Sequence, residues 1–221
     1  MLTENRGILR GMAPGSLKGK NRFGSLLELF TEGEFFYYWK ENREIITLSK
    51  ADLVQSYFHT VSDAQNIFHF YLISEILLKF VPPSHKDPRI YRLVSAVLKS
   101  RHQGVAMERL LLYFLVWILR IEGLMFNSGI CYNCYGNSQP KAWLKSDFRG
   151  ILCQKCRGDE VFALDEAELA WLSWSESHGP EKVETWKGRM DQQKMIRIFT
   201  AKIAHHAECS FKSTQYLSPF R

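Results

Sequence analysis

The sequence predicts an α+β fold: a small β-rich head, an all-helical body, and a short thiol-bearing insert within that body. Three observations predict it. Glycines and short apolar or aromatic runs crowd the first fifty residues, helical periodicity with capping signals takes over from Lys50, and four of the five cysteines fall between positions 131 and 156. The chain of 221 residues is long enough for one to three small domains with their own cores.

In the head, glycines at 7, 11, 15, 19 and 24 with Pro14 forbid a long helix and suit tight turns. SLLELF, EFFYYW and EIITL read as three short strands, the last two joined across the polar KENR as a hairpin. The broken alternation in FFYYW suggests a strand covered on both faces. Phe35, Phe36, Tyr37, Tyr38 and Trp39 are therefore expected mainly in the core of the small sheet.

The body follows from caps. Ser49 with Asp52 can open one helix and Ser62 the next, which must stop before Pro82-Pro83. Asp87-Pro88 supplies a cap and an N1 proline for IYRLVSAVLKS. A third helix runs from after Gly104 to about Glu122, where Gly123 closes it. Its run LLLYFLVWIL at 110–119 is ten residues long, half of what a bilayer requires, so it reads as a buried core helix. Asp165 with Glu168 forms a capping box before EAELAWLSW, and a basic amphipathic helix spans about 191–208. The domains expected are 1–50 for the head, 51–127 and 161–221 for the helical body, and 128–160 for the insert.

Cys131-x2-Cys134 and Cys153-x2-Cys156 have the spacing of a four-cysteine zinc site. No secretory signal is visible, so paired thiols read as metal ligands sooner than as disulfides. Four thiolates leave an ion no open position, which makes the site structural and argues against zinc catalysis. Trp143, Phe148 and Ile151 are expected to form the insert's own small core, with Gly136 and Gly158 relaxing the backbone after each pair. Cys209 reads as a small hydrophobe in the last helix.

The net charge of +6 points toward polyanionic partners. It concentrates at the two ends: Arg6, Arg10, Lys18, Lys20 and Arg22 stand against Glu4 alone in the first 24 residues. Such cations on a glycine-rich stretch are either a solvated surface or a device that tracks a phosphate chain, with an exposed Phe23 stacking on a base. Lys194, Arg197 and Lys202 on the last helix are either a second phosphate contact or its wet face. The sequence has no phosphate-cradling GxxxxGK[ST], no GxSxG, no HExxH and no GxGxxG after a strand, so no catalytic residue is nominated and the chain is not expected to be an enzyme.

In this order the features resemble the RecO family of bacterial recombinational repair proteins. The matching stretches are GILRGMAPGSLKGKNRFGSLLELF, the aromatic EFFYYWKENREIITL, the helix ending RLLLYFLVWILRIEGLMF, and the CYNC…CQKC insert. The resemblance implies an OB-fold head, an all-helical domain, and a zinc ribbon held by Cys131, Cys134, Cys153 and Cys156 with structural zinc. It also implies binding of single- and double-stranded DNA, annealing of complementary strands, and cooperation with RecR, single-stranded-DNA-binding protein and the RecA pathway. Location would be cytoplasmic, at the nucleoid during repair, with no membrane partner. Lys18, Lys20, Arg22 and Phe23 would lie on the DNA-facing loop, with Arg6 and Arg10 on flanking strands. The alternative is an adapter that takes the tail of single-stranded-DNA-binding protein and grips DNA weakly or not at all. Family members begin with a strand ahead of the segment that opens this chain. The head is therefore expected to lack its first strand, and a start codon placed too late is the expected cause.

Overall fold

The computed structural model describes residues 1–16, 23–40, 45–61, 66–83, 85–158 and 162–217. At the head, β1 (Leu2–Thr3) pairs antiparallel with β2 (Gly7–Ile8), placing Leu2 opposite Ile8. Gly7 is required twice over. Its φ is +66°, and a Cβ there would sit 2.2 Å from the His85 carbonyl oxygen. The main head sheet has order β3-β5-β4, with β3 (Arg10–Met12) parallel and β4 (Thr31–Tyr38) antiparallel to the long β5 (Ile45–Ser56). Phe23, Ile46, Leu48 and Ala51 form its buried core, with Leu9, Leu26, Phe35 and Tyr37 packed around them.

Two sequence expectations are corrected here. SLLELF is not a strand: Gly24–Leu27 forms a 3₁₀ turn. Phe23 and Leu26, three residues apart, both face the head core, which is the 3₁₀ period and not that of a strand. No helix begins at Ser49, because β5 continues to Ser56. The polar groups of that capping signal have other partners. The Ser49 hydroxyl donates to the Phe36 carbonyl at a bulge, and Asp52 pairs with Lys50 and lies opposite Glu34 on β4. Cross-strand pairing outcompeted a local cap. The hairpin residues 41–44 lie outside the described residues, as does Ser62.

The body contains α1 (Phe58–Val61), α2 (Ile67–Phe80), α3 (Pro88–His102), α4 (Met107–Ile121), α5 (Glu166–Trp174) and α6 (Gln192–His206). α4 is apolar nearly all round and sits at the centre, with every residue of its apolar run buried except the half-buried Trp117. Two of the caps, at Asp87 and Asp165, are those expected from the sequence, and Asp191 adds a third. Asp87 accepts the Arg89 N–H, Asp165 and Glu168 form a reciprocal box, and Asp191 accepts the Lys194 N–H. Gly123 ends α4 with φ +70°.

The head docks on the body through Phe30, whose ring is 5.2 Å from that of Phe70, and through Tyr57 in the helical core. The Tyr91 hydroxyl donates to Glu32 Oε1 at 2.9 Å. Burial first, then the Glu32 carboxylate, pushes this phenol up to about 12, so it stays a donor.

The insert is a second small sheet, order β7-β6-β8, from β6 (Ala142–Leu144), β7 (Ile151–Leu152) and β8 (Phe162–Leu164). Strand alternation gives it two dry faces. Ala142, Leu144, Ile151 and Leu164 face the helical core, while Trp143, Leu152 and Ala163 face the cysteines. The insert therefore has no private core of Trp143, Phe148 and Ile151. Phe148 and Ile151 belong to the main core, and only Trp143 packs on the thiols.

Candidate metal centre and nucleic-acid interface

Two turns bring the four thiols together. In the first, the Tyr135 N–H donates to the Cys131 carbonyl at 2.9 Å; in the second, the Cys156 and Arg157 N–H groups donate to the Cys153 carbonyl at 3.0 Å. The strand pairs of the insert hold the turns face to face. The Sγ atoms of Cys131, Cys134, Cys153 and Cys156 all lie within 4.8 Å of one another. Cys134 and Cys153 are 3.7 Å apart, close to the roughly 3.8 Å edge of a tetrahedron with 2.3 Å Zn–S bonds.

The electrostatics fit a cation. Burial pushes the Cys131 thiol up, but N–H donors from Cys134, Cys153 and Asn133 outweigh it and bring it down to about 6. At Cys134 the Gly136 N–H favours the thiolate, yet the three neighbouring sulfurs prevail and push it up to about 11. Four sulfurs this close cannot all ionise without a positive charge between them. Gly136 and Gly158 do not play the expected part. The left-handed residue is Tyr135, with φ 59°, at a cost of about 1 kcal/mol or more for a residue with a Cβ. A Cβ on Gly136 would sit 3.4 Å from Cys134 Sγ, and one on Gly158 would meet nothing within 4 Å. Cys209 lies just past the end of α6 and packs against the main core.

The cluster is tied to the body by a buried lysine. Lys202 of α6 donates from Nζ to the Phe148 carbonyl at 2.6 Å and lies over the Phe126 and Phe148 rings. Burial lowers its pKa, with Asp147 opposing. Lys194 is likewise engaged, 2.6 Å from the fully buried Glu168 carboxylate. Of the three α6 cations considered for phosphate contact, only Arg197 is exposed. The other two are used inside the fold.

The basic residues of the head are distributed unevenly. Lys18, Lys20 and Arg22 lie outside the described residues. Arg6 and Arg10 are exposed, and the Arg6 guanidinium stands 5.3 Å from the Trp39 ring. Phe23 is not an exposed stacking ring. It is 1% exposed, because among the described residues the head core has four buried apolar side chains and Phe23 is the largest of them.

Exposed rings occur instead where the sequence suggested core. Phe35 and Tyr37 point inward, but Phe36 is 49%, Tyr38 71% and Trp39 54% exposed. A Cβ on Gly11 would lie 2.9 Å from Ile46 Cγ1, so Gly11 faces inward while Arg10 and Met12 face out. Register then places Phe36 opposite Lys50, whose Nζ is 5.3 Å from the Phe36 ring, and Tyr38 opposite Thr47. Arg10, Met12, Phe36, Tyr38 and Lys50 thus share the outer face of one sheet, with Arg6 and Trp39 beside it. Glu34 and Asp52 close one end of this face. Rings interleaved with cations can stack bases and hold phosphates. Strict period-two reading of EFFYYW assigns alternate residues outward; the signal was hidden because the outward positions are as aromatic as the inward ones.

A β head, a helical body and a four-thiol insert together define a class of chain built to hold a shape and offer surfaces. Comparison with known families gives the lineage. The N-terminal region of recombination protein O matches residues 1–57 and its C-terminal region matches residues 61–215, so the chain belongs to the recombination protein O family. It is similar to a protein named DNA repair protein RecO from Koribacter versatilis, 25% identical over 153 residues covering 69% of this chain and 62% of that one. One of the same name from Dehalococcoides mccartyi is 24% identical over 162 residues, covering 73% and 63%. Another from Listeria monocytogenes serotype 4b is 23% identical over 156 residues, covering 71% and 60%. The chain spans about three-fifths of the length of these curated relatives. Among the described residues, no helix is long and apolar enough to cross a membrane.

Proposed function

We propose that the chain is a DNA-binding recombination mediator that acts without catalysis. In this reading it anneals complementary strands and helps load recombinase on coated single-stranded DNA, working in the cytoplasm at the nucleoid. RecR, single-stranded-DNA-binding protein and the RecA pathway are the partners that family membership suggests. The observation that carries the reading is the outer face of the head sheet, where Phe36, Tyr38 and Trp39 lie exposed among Arg6, Arg10 and Lys50. Folding alone gives no reason to leave three aromatic rings in water beside cations, whereas a single strand uses both. Lys18, Lys20 and Arg22 would extend the phosphate contacts along the adjoining loop. The order β3-β5-β4 with a parallel β3–β5 pair supports reading the head as an OB-like sheet.

Cys131, Cys134, Cys153 and Cys156 would hold one zinc ion. The donor set is all sulfur and its spacing suits a tetrahedron, so the ion would close a structural site and brace the insert. No step of the activity runs through it.

A second reading draws on a different observation. Leu29, Phe30, Phe58, Val61, Ile67 and Phe70 line an apolar cavity of about 170 Å³ between head and α2, which suits the apolar end of a peptide tail. An adapter of this kind would bind DNA weakly or not at all.

Titration of a labelled oligonucleotide at two salt concentrations separates the readings. The mediator reading expects log K to fall with log salt at about −0.7 per phosphate contact on a single strand. Binding that is absent at low salt leaves the adapter.

A further inference from the structure

The thiol insert presents a ring that neither folding nor metal binding uses. Tyr135 follows the first cysteine pair directly, holds a left-handed backbone at φ 59°, and is 80% exposed. Glycine adopts that conformation freely and tyrosine does not, yet the neighbouring Gly136 is left out of it. A ring so exposed recovers nothing through burial. The backbone turn at Tyr135 serves the cysteine pair, its N–H meeting the Cys131 carbonyl, but a side chain larger than glycine's is not needed for that turn.

The surroundings say what. Within the insert, 128–160, the chain has Lys141, Lys145, Arg149, Lys155 and Arg157 against Asp147, Asp159 and Glu160, and all five cations are exposed. Asp147 is 3.7 Å from Arg149. Lys141 and Arg157 lie over the Trp143 ring at 5.8 and 5.3 Å, on the side of the cysteines. Tyr132 is also exposed, although its ring is partly explained by contact with Gly150. An acidic peptide would be met by cations alone. Exposed rings on a segment rich in exposed cations match a nucleobase with its phosphate.

We propose that the tip of the insert is a second contact site for single-stranded nucleic acid, with Tyr135 stacking on a base and Arg149, Lys155 and Arg157 holding phosphates. The insert and the β1–β2 hairpin of the head both reach toward the end of α2 that carries Phe80. Phe148 of the insert contacts Lys202 and His205 near the end of α6, His206 contacts Phe80 at the end of α2, and the chain from Phe80 leads to His85, which backs Gly7 of the head. The inference rests on the nucleic-acid reading of the head only for the choice of ligand.

The test uses labelled oligo-dT and the full, metal-loaded chain. Tyr135→Gly removes the ring and places glycine where the backbone asks for it. The melting temperature should hold or rise and the metal content should not change, while affinity falls roughly 5- to 100-fold. Tyr135→Phe should bind as the parent does. Replacing Arg149 and Lys155 by Ala should flatten the salt slope by about 0.7 for each phosphate that no longer meets a cation. If Tyr135→Gly binds at full strength while Phe36→Ala with Tyr38→Ala weakens binding, the insert site is wrong and the head reading stands. If neither variant weakens binding, or if the parent takes poly-glutamate and ignores oligo-dT, both readings fall.

Discussion

Two three-stranded sheets, β3-β5-β4 in the head and β7-β6-β8 in the insert, meet solvent in opposite ways. The insert sheet is covered twice, by the helical core on one face and by the thiol cluster on the other. The head sheet is covered once, and its outer face carries Phe36, Tyr38 and Lys50. In the insert sheet each inward side chain has a structural employer, and what remains unexplained is at the tip. In the head, among the described residues, the outer face is left over. Residues that folding does not use are the ones to examine for binding, and here they sit on the two surfaces that also carry cations.

The comparison can be broken most forcefully at the thiols. Cys131→Ser, or a strong chelator, should release the zinc proposed for this site and melt the insert, since structural zinc contributes on the order of 10 kcal/mol in small domains. Metal content and circular dichroism would report it. An insert that stays folded without metal would mean that the body alone supports it.

Next in size is Phe148→Ala, which empties a buried site shared by insert and body and removes the ring beneath Lys202. A loss of about 3–5 kcal/mol is expected in chemical denaturation. The matching change in the head, Phe36→Ala, should alter stability by less than about 0.5 kcal/mol, because the ring is already half in water. Equal costs at the two positions would erase the contrast between the sheets.

A smaller effect sits at Glu75 on α2, whose carboxylate accepts the Lys212 and Ser213 N–H groups and the Ser213 hydroxyl, so fastening the C-terminal segment. Burial pushes its pKa up, but the Ser213 and Lys212 hydrogen bonds and the Lys79 charge outweigh it and hold it below the usual carboxylate range. A depressed folded pKa gives stability that is present above the unfolded value and lost as pH falls through the folded one. Glu75→Gln should therefore cost about 1–2 kcal/mol at pH 7, and the difference from the parent should shrink below about pH 4. A difference independent of pH would assign the effect to packing.

Much of the body was legible because its signals are local. Asp87, Asp165 and Asp191 each cap a helix from their own first turn, and the apolar run at 110–119 has only one place to go. The cysteine spacing announced the cluster for the same reason. The head was harder to read. Whether Ser49 and Asp52 open a helix or join a strand depends on β4, more than a dozen residues away, and aromatic residues on both faces hid the alternation of EFFYYW. Phe23 looked available beside a basic loop, but the small core claims it. Lys202 looked like a surface cation on a basic helix, and only the returning insert shows that its amine reaches Phe148.

The central claim is that exposed rings and cations on the outer head face grip a single strand. It is tested most directly by the salt-dependent affinity of the parent and of Phe36→Ala with Tyr38→Ala for oligo-dT. The account predicts steep salt dependence in both and an affinity loss of roughly fivefold or more in the variant, with its melting temperature unchanged. Equal affinity for the two proteins, or binding indifferent to salt, would contradict it.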